Sequence, residues 1–96
     1  MIFVGLVQLF GIHDVGNNNR MTFFRKGDLL FCEINGQIIE AFSYKGNNSF
    51  EGGSGKAKVE FKLLPQGGVR ARLVRFRYAD RKEYTFEGPK ILKYRD

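Results

Sequence analysis

Asp28-Leu29-Leu30-Phe31-Cys32-Glu33-Ile34-Asn35-Gly36-Gln37-Ile38-Ile39-Glu40-Ala41-Phe42-Ser43-Tyr44 is the stretch that decides the fold. Two apolar runs, 28–34 and 37–44, flank one Asn-Gly pair. Both turn residues accept the positive φ of a type I′ turn, whose twist matches that of two paired strands. The segment predicts a β-hairpin.

Outward from this hairpin the repeating signal has period two. Ala57, Val59, Phe61 and Leu63 alternate with Lys58, Glu60 and Lys62, and Tyr84 and Phe86 alternate with Glu83, Thr85 and Glu87. That is the pattern of strands with one buried and one solvated face. Turn residues punctuate the chain at 13–19, 25–27, 65–68, 79–82 and 88–89, which gives seven to eight short strands. The stretch 45–56 holds Gly46, Gly52, Gly53 and Gly55 with two Asn and two Ser, and predicts a mobile loop. No segment shows a helical period. The expected architecture is all-β: a small, mostly antiparallel barrel or compact sandwich in one domain spanning 1–96, with a four-stranded meander over 57–95.

The apolar N-terminus, residues 1–12, is interrupted by Gln8, and the first basic residue is Arg20. As a helix it would rise about 18 Å, short of the roughly 30 Å of a bilayer core. It lacks the basic start and small-residue cleavage site of an export signal. The expectation is a buried strand bent at Gly5 and Gly11, in a cytoplasmic protein without a membrane span. One Cys and one His exclude an intramolecular disulfide and a zinc site of the usual Cys/His kind. No cofactor or metal is expected.

The formal charge of +6 on 96 residues biases the chain toward anionic partners, and it is unevenly placed. Residues 69–96 carry nine of the sixteen Lys/Arg but four of the ten Asp/Glu, so +5 of the excess lies there. Four of these residues fall in one predicted strand, Val69-Arg70-Ala71-Arg72-Leu73-Val74-Arg75-Phe76-Arg77-Tyr78. Its apolar set changes phase: Val69, Ala71 and Leu73, then Val74, Phe76 and Tyr78. Regular alternation would put two Arg on each face, and burying unpaired Arg is costly. A one-residue bulge near Leu73-Val74 would instead place all four Arg outside.

Such a stripe attracts phosphates through counterion release, and arginine also stacks on bases. The candidate nucleic-acid-binding residues are therefore Arg70, Arg72, Arg75 and Arg77, extended by Lys82, Lys90 and Lys93. Phe50, Tyr44 and Tyr94 are candidate stacking rings. The competing reading is a solvated strand face with Glu83 and Glu87 as cross-strand partners.

Other motifs fail. Gly52-Gly53-Ser54-Gly55-Lys56 resembles the end of a phosphate-binding P-loop. Phe50 stands where its first Gly belongs, Ala57 stands where Ser or Thr belongs, and a strand follows in place of a helix. His13-Asp14 is an adjacent pair with no evident nucleophile, and Cys32 sits in an apolar run as a small filler. Glu33 and Glu40 could meet across the Asn35-Gly36 hairpin, near Asp28, yet ordinary surface placement is favoured. The aromatic signatures of RNA-recognition motifs and cold-shock domains appear at no strand.

The expected function is a non-enzymatic module that binds single-stranded nucleic acid or RNA through an Arg-rich strand face. A protein-interaction or assembly module is the alternative, of the kind used by viruses or mobile elements. It would work through a strand edge or basic surface, with homo-oligomerisation through edges. A small-ligand barrel ranks third and an enzyme last.

Overall fold

The computed structural model describes residues 7–93. Its eight strands are β1 (Gly11–Asp14), β2 (Arg20–Lys26), β3 (Leu29–Ile34), β4 (Gln37–Gly46), β5 (Ser49–Gly52), β6 (Ala57–Leu63), β7 (Val69–Arg77) and β8 (Lys82–Lys93). Each pairs antiparallel with its sequence neighbours, and β8 pairs back onto β1, so the sheet closes into a small up-and-down barrel. There is no α-helix among the described residues. The all-β antiparallel expectation holds, and closure decides for the barrel over the sandwich.

The Asn-Gly hairpin forms as the sequence predicts. Ile34 pairs with Gln37, and Asn35 and Gly36 take φ of 51° and 89°. The turn is also tied to the β1–β2 loop. Asn35 Oδ1 accepts from the Arg20 amide at 2.9 Å, and Asn35 Nδ2 donates to Asn19 Oδ1 at 2.8 Å.

Four boundaries differ from expectation. Of the strand expected over 1–12, residues 1–6 lie outside the described residues, Val7–Leu9 is a 3-10 turn, and the strand begins at Gly11. His13 and Asp14 belong to β1 and not to a loop. The stretch expected to be a mobile loop holds the end of β4, a tight Asn47-Asn48 turn with both φ positive, and all of β5. Two consecutive Asn made this segment look polar and loop-like, but Asn tolerates the left-handed region well enough to replace Asn-Gly in a hairpin turn. Finally, β8 runs unbroken through Gly88-Pro89, so 57–93 forms a meander of three strands and not four.

The inward faces supply the core. Phe23, Phe42, Phe50 and Phe61 fill the barrel with Met21, Leu30, Val59, Ala71 and Leu73, all at most 5% exposed. Rings meet edge-on: Phe23 and Phe61 at 4.9 Å, Phe50 and Phe61 at 5.8 Å. An eight-stranded barrel is just wide enough to be filled by side chains or to hold one small ligand. These aromatics occupy its middle. Loops 15–19, 35–36, 53–56 and 78–81 surround one mouth, because antiparallel order brings the ends of β1, β3, β5 and β7 together there.

Candidate nucleic-acid interface

The four arginines of β7 do not share a face. Arg70 to Arg77 pair rung by rung with Pro89 to Lys82 on β8, and Ala57 to Leu63 pair in unbroken register with Arg75 to Val69. No bulge occurs at Leu73-Val74; the register shifts lie in β1–β8, β3–β4 and β4–β5. Alternation therefore puts Arg70 and Arg72 outside with Val74 and Phe76, and puts Arg75 and Arg77 inside with Val69, Ala71 and Leu73. The single four-Arg stripe is overturned. The cost that argued for a bulge is not incurred, because Arg75 and Arg77 come at the end of β7, where the inner face opens at the barrel mouth. Arg75 is half-buried and Arg77 is exposed.

On the outer face, Arg70 and Arg72 are flanked by Lys58 and Lys62 of β6. Arg70 Nε donates to Glu87 Oε2 at 3.1 Å, and Arg72 lies 4.0 Å from Glu60. Both pairs are solvent-exposed, a setting in which an ion pair contributes roughly 0–1 kcal/mol. Phosphate can therefore replace these carboxylates at small cost.

Further along the same face Phe76 meets Tyr78 edge-to-face at 5.1 Å, and Lys56 Nζ stands 5.6 Å from the Tyr78 ring centre. Tyr78 is 68% exposed, more than any other large hydrophobic residue described. A cleft of about 340 Å³ runs beside this pair, lined by Gly55, Lys56, Lys58, Val74, Phe76 and Glu83. The amide of Phe76 donates to the Lys56 carbonyl at 2.9 Å, which fixes the cleft's two sides together. Sequence reasoning missed Lys56, Phe76 and Tyr78 as a group. Their signal was the same phase change, read as a bulge when it was a change of environment along a regular strand.

The mouth carries a second polar group of residues. Arg77 Nη2 donates to Asp80 Oδ2 at 2.8 Å, the Tyr84 hydroxyl donates to the same carboxylate, and the Arg77 guanidinium lies 4.8 Å from the Tyr84 ring centre. These contacts hold the Asp80 carboxyl below its usual range and raise the Tyr84 hydroxyl and Arg77. Across the mouth, the Ser54 hydroxyl donates to Glu40 Oε2 at 2.8 Å. Glu33 pairs with Ile38 while Glu40 pairs with Cys32 across a bulge, so Glu33 faces out and Glu40 faces in. The two carboxylates do not converge.

The remaining candidates are scattered. Lys82 opens β8 opposite Arg77, and Lys90 Nζ donates to the Gln8 carbonyl at 2.6 Å. Lys93 ends β8 opposite Gly11, and Tyr94 lies outside the described residues. Phe50 is 1% exposed and belongs to the core, and half-buried Tyr44 packs on it at 5.1 Å. Tyr44 of β4 and Phe50 of β5 are direct cross-strand partners, and both pack against the core. Phe50 presents no face to a base.

His13 is wholly buried, with Nδ1 3.2 Å from the Gly88 carbonyl and Nε2 3.4 Å from the Leu9 carbonyl. Burial lowers its pKa, against the opposing pull of both carbonyls. Its ring packs edge-on to Phe23 at 5.5 Å. Cys32 is buried, and desolvation pushes its thiol far up. Both are core residues.

No family model, curated protein or solved structure matches the chain. The functional reading rests on this geometry.

Proposed function

We propose that the protein is a non-enzymatic module that binds single-stranded nucleic acid or RNA along the outer face of β6 and β7. The supporting observation is the exposed Tyr78 ring, held by Phe76 beside a cleft bordered by Lys56 and Lys58. A ring braced by Phe76, with Lys56 over one face and most of its surface exposed, is a platform for a base on its other face, and such stacking is sequence-tolerant. Lys58, Lys62, Arg70 and Arg72 continue the same face along the strand direction. Side chains two apart on a strand are spaced by about 6–7 Å, so this face spans a handful of nucleotides.

In this reading phosphate contacts position the chain and the Phe76–Tyr78 pair holds one base. Sequence preference is slight, since phosphate contacts carry no base information. Of the expected basic stripe, Arg70 and Arg72 take part. Arg75 faces the lumen and Lys90 is engaged by Gln8.

Fluorescence anisotropy with labelled oligonucleotides over a salt series tests this. If about four phosphates are engaged, affinity falls about 50-fold between 50 and 200 mM salt. R70Q/R72Q should shrink the logarithmic salt slope by about 1.4, at 0.7 per single-strand phosphate. Tyr78→Ala should weaken binding without changing that slope. Absence of binding at low salt, or binding unaffected by both variants, sinks the proposal. For the assembly alternative no whole strand is unpaired, and the edge it would use is the part of β8 that the short β1 does not cover.

A further inference from the structure

Arg75 lies on the inward face of β7 at the barrel mouth, half-buried, and no carboxylate among the described residues pairs with it. Its rung partners are Ala57 on β6 and Tyr84 on β8, and its face of β7 is that of the wholly buried Leu73 and Ala71. Its positive charge is felt at buried Cys32 of β3, where it opposes the effect of burial on the thiol. An arginine keeps its charge, and its guanidinium donors remain available to an acceptor from outside the protein.

The carboxylates at this mouth are committed elsewhere. Asp80 is held by Arg77, by the Tyr84 hydroxyl and by the Lys82 amide. Glu40 is drawn over Gly52 by the Ser54 hydroxyl; a Cβ on Gly52 would lie 2.3 Å from Glu40 Oε2. Among the described residues no ion pair or hydrogen bond involves Arg75. The space over Gly52 is filled by the Glu40 side chain, and Ala57, across the rung from Arg75, adds only a methyl group. The result is a mouth with a cationic fork and with neighbouring acids held by their own partners.

We propose that this mouth is a binding site for a small oxyanion, a carboxylate or phosphate group, with Arg75 as its anchor. The planar guanidinium offers parallel N–H donors that match either group. The site is distinct from the outer face of β6–β7: Arg75 points into the barrel while Arg70, Arg72 and Tyr78 do not. A terminal phosphate or carboxylate of a small molecule fits this mouth better than a polymer backbone, because the Phe-filled core closes it below.

The test is thermal unfolding in sodium phosphate and in sodium acetate, each against sodium chloride at matched ionic strength. The wild type should show a saturable rise in Tm, of several degrees once the anion reaches tenfold excess over its Kd. R75Q should lose the saturable part, retaining only the unsaturable increase that excluded salts give any protein. R70Q/R72Q should keep it, which separates this site from the outer face. A response to phosphate alone assigns a phosphorylated ligand, and one to acetate alone assigns a carboxylate. Should R75Q not fold, the wild-type Arg75 side-chain Nε–H resonance is followed by NMR during the same titrations. A saturable shift is expected. Equal Tm responses in wild type and R75Q, or an Arg75 resonance that does not move, overturn the proposal.

Discussion

Gly88 of β8 lies so close to Asp14 of β1 that a Cβ built on it would stand 1.7 Å from the Asp14 carbonyl oxygen. The neighbour is backbone, so no side chain can move aside. Gly88 also gives its own carbonyl to His13 Nδ1. This approach lies beside the short β1–β8 ladder that closes the barrel. Gly88→Ala must separate these strands, and the expected loss is about 3 kcal/mol, at the upper end of overpacking costs. Urea unfolding checks it; a loss under about 0.5 kcal/mol would show that the closure has slack.

His13 makes stability depend on pH. Its folded pKa lies below the ordinary imidazole value of about 6.5, mainly through burial, with Lys90 acting in the same direction. Below pH 6.5 the unfolded chain takes up a proton that the folded chain resists. Stability should therefore be full above pH 6.5 and fall as the pH drops toward 5, before the carboxylates titrate. His13→Leu should be less stable at pH 7, having lost its contacts to Gly88 and Leu9, yet flatter over this window. A variant with the wild-type slope would exclude His13 as the source.

How much of this could be read from the chain depends on which signal each residue carried. Asn35-Gly36 and the alternation over 57–63 are local, and the fold keeps both. Strand β5 was hidden because Ser49–Gly52 is four residues long and bounded by Asn and Gly pairs that resemble a loop. Its burial is decided by pairing with β4 and β6, which no local pattern records. The β7 phase change was visible, but its cause depended on where the strand meets the barrel mouth. Unpaired Arg inside a sealed core would have required a bulge; Arg75 and Arg77 at an open end do not. The outer cleft at Phe76 and Tyr78 follows from the same fact.

Cys32 should be chemically silent in the folded protein. It has no exposed surface, and burial pushes its thiol far above the pH range in which thiolate forms. Iodoacetamide at pH 8 should label it only through opening of the barrel, at a rate that rises with urea in parallel with unfolding. Cys32→Ala should remove labelling at small cost, since a small residue replaces a small one. Rapid labelling of the native protein would mean that the lumen beneath Arg75 admits reagents without unfolding.

Phe50 and Tyr78 give the sharpest test of the placement of aromatic rings. Phe50, a sequence-level candidate for base stacking, is 1% exposed and packs on Phe61 and Tyr44; Tyr78 is 68% exposed. Phe50→Ala removes a buried ring and leaves a cavity, an expected cost of about 3–5 kcal/mol. That is a large share of the roughly 5–15 kcal/mol that holds a small domain folded. Tyr78→Ala should change stability by less than about 1 kcal/mol, since it leaves the core untouched. Urea midpoints for the two variants decide the matter: a mild Phe50→Ala would mean that β5 does not pack into the barrel. A severe Tyr78→Ala would mean that its ring is structural, and a base could then claim it only by disturbing the fold.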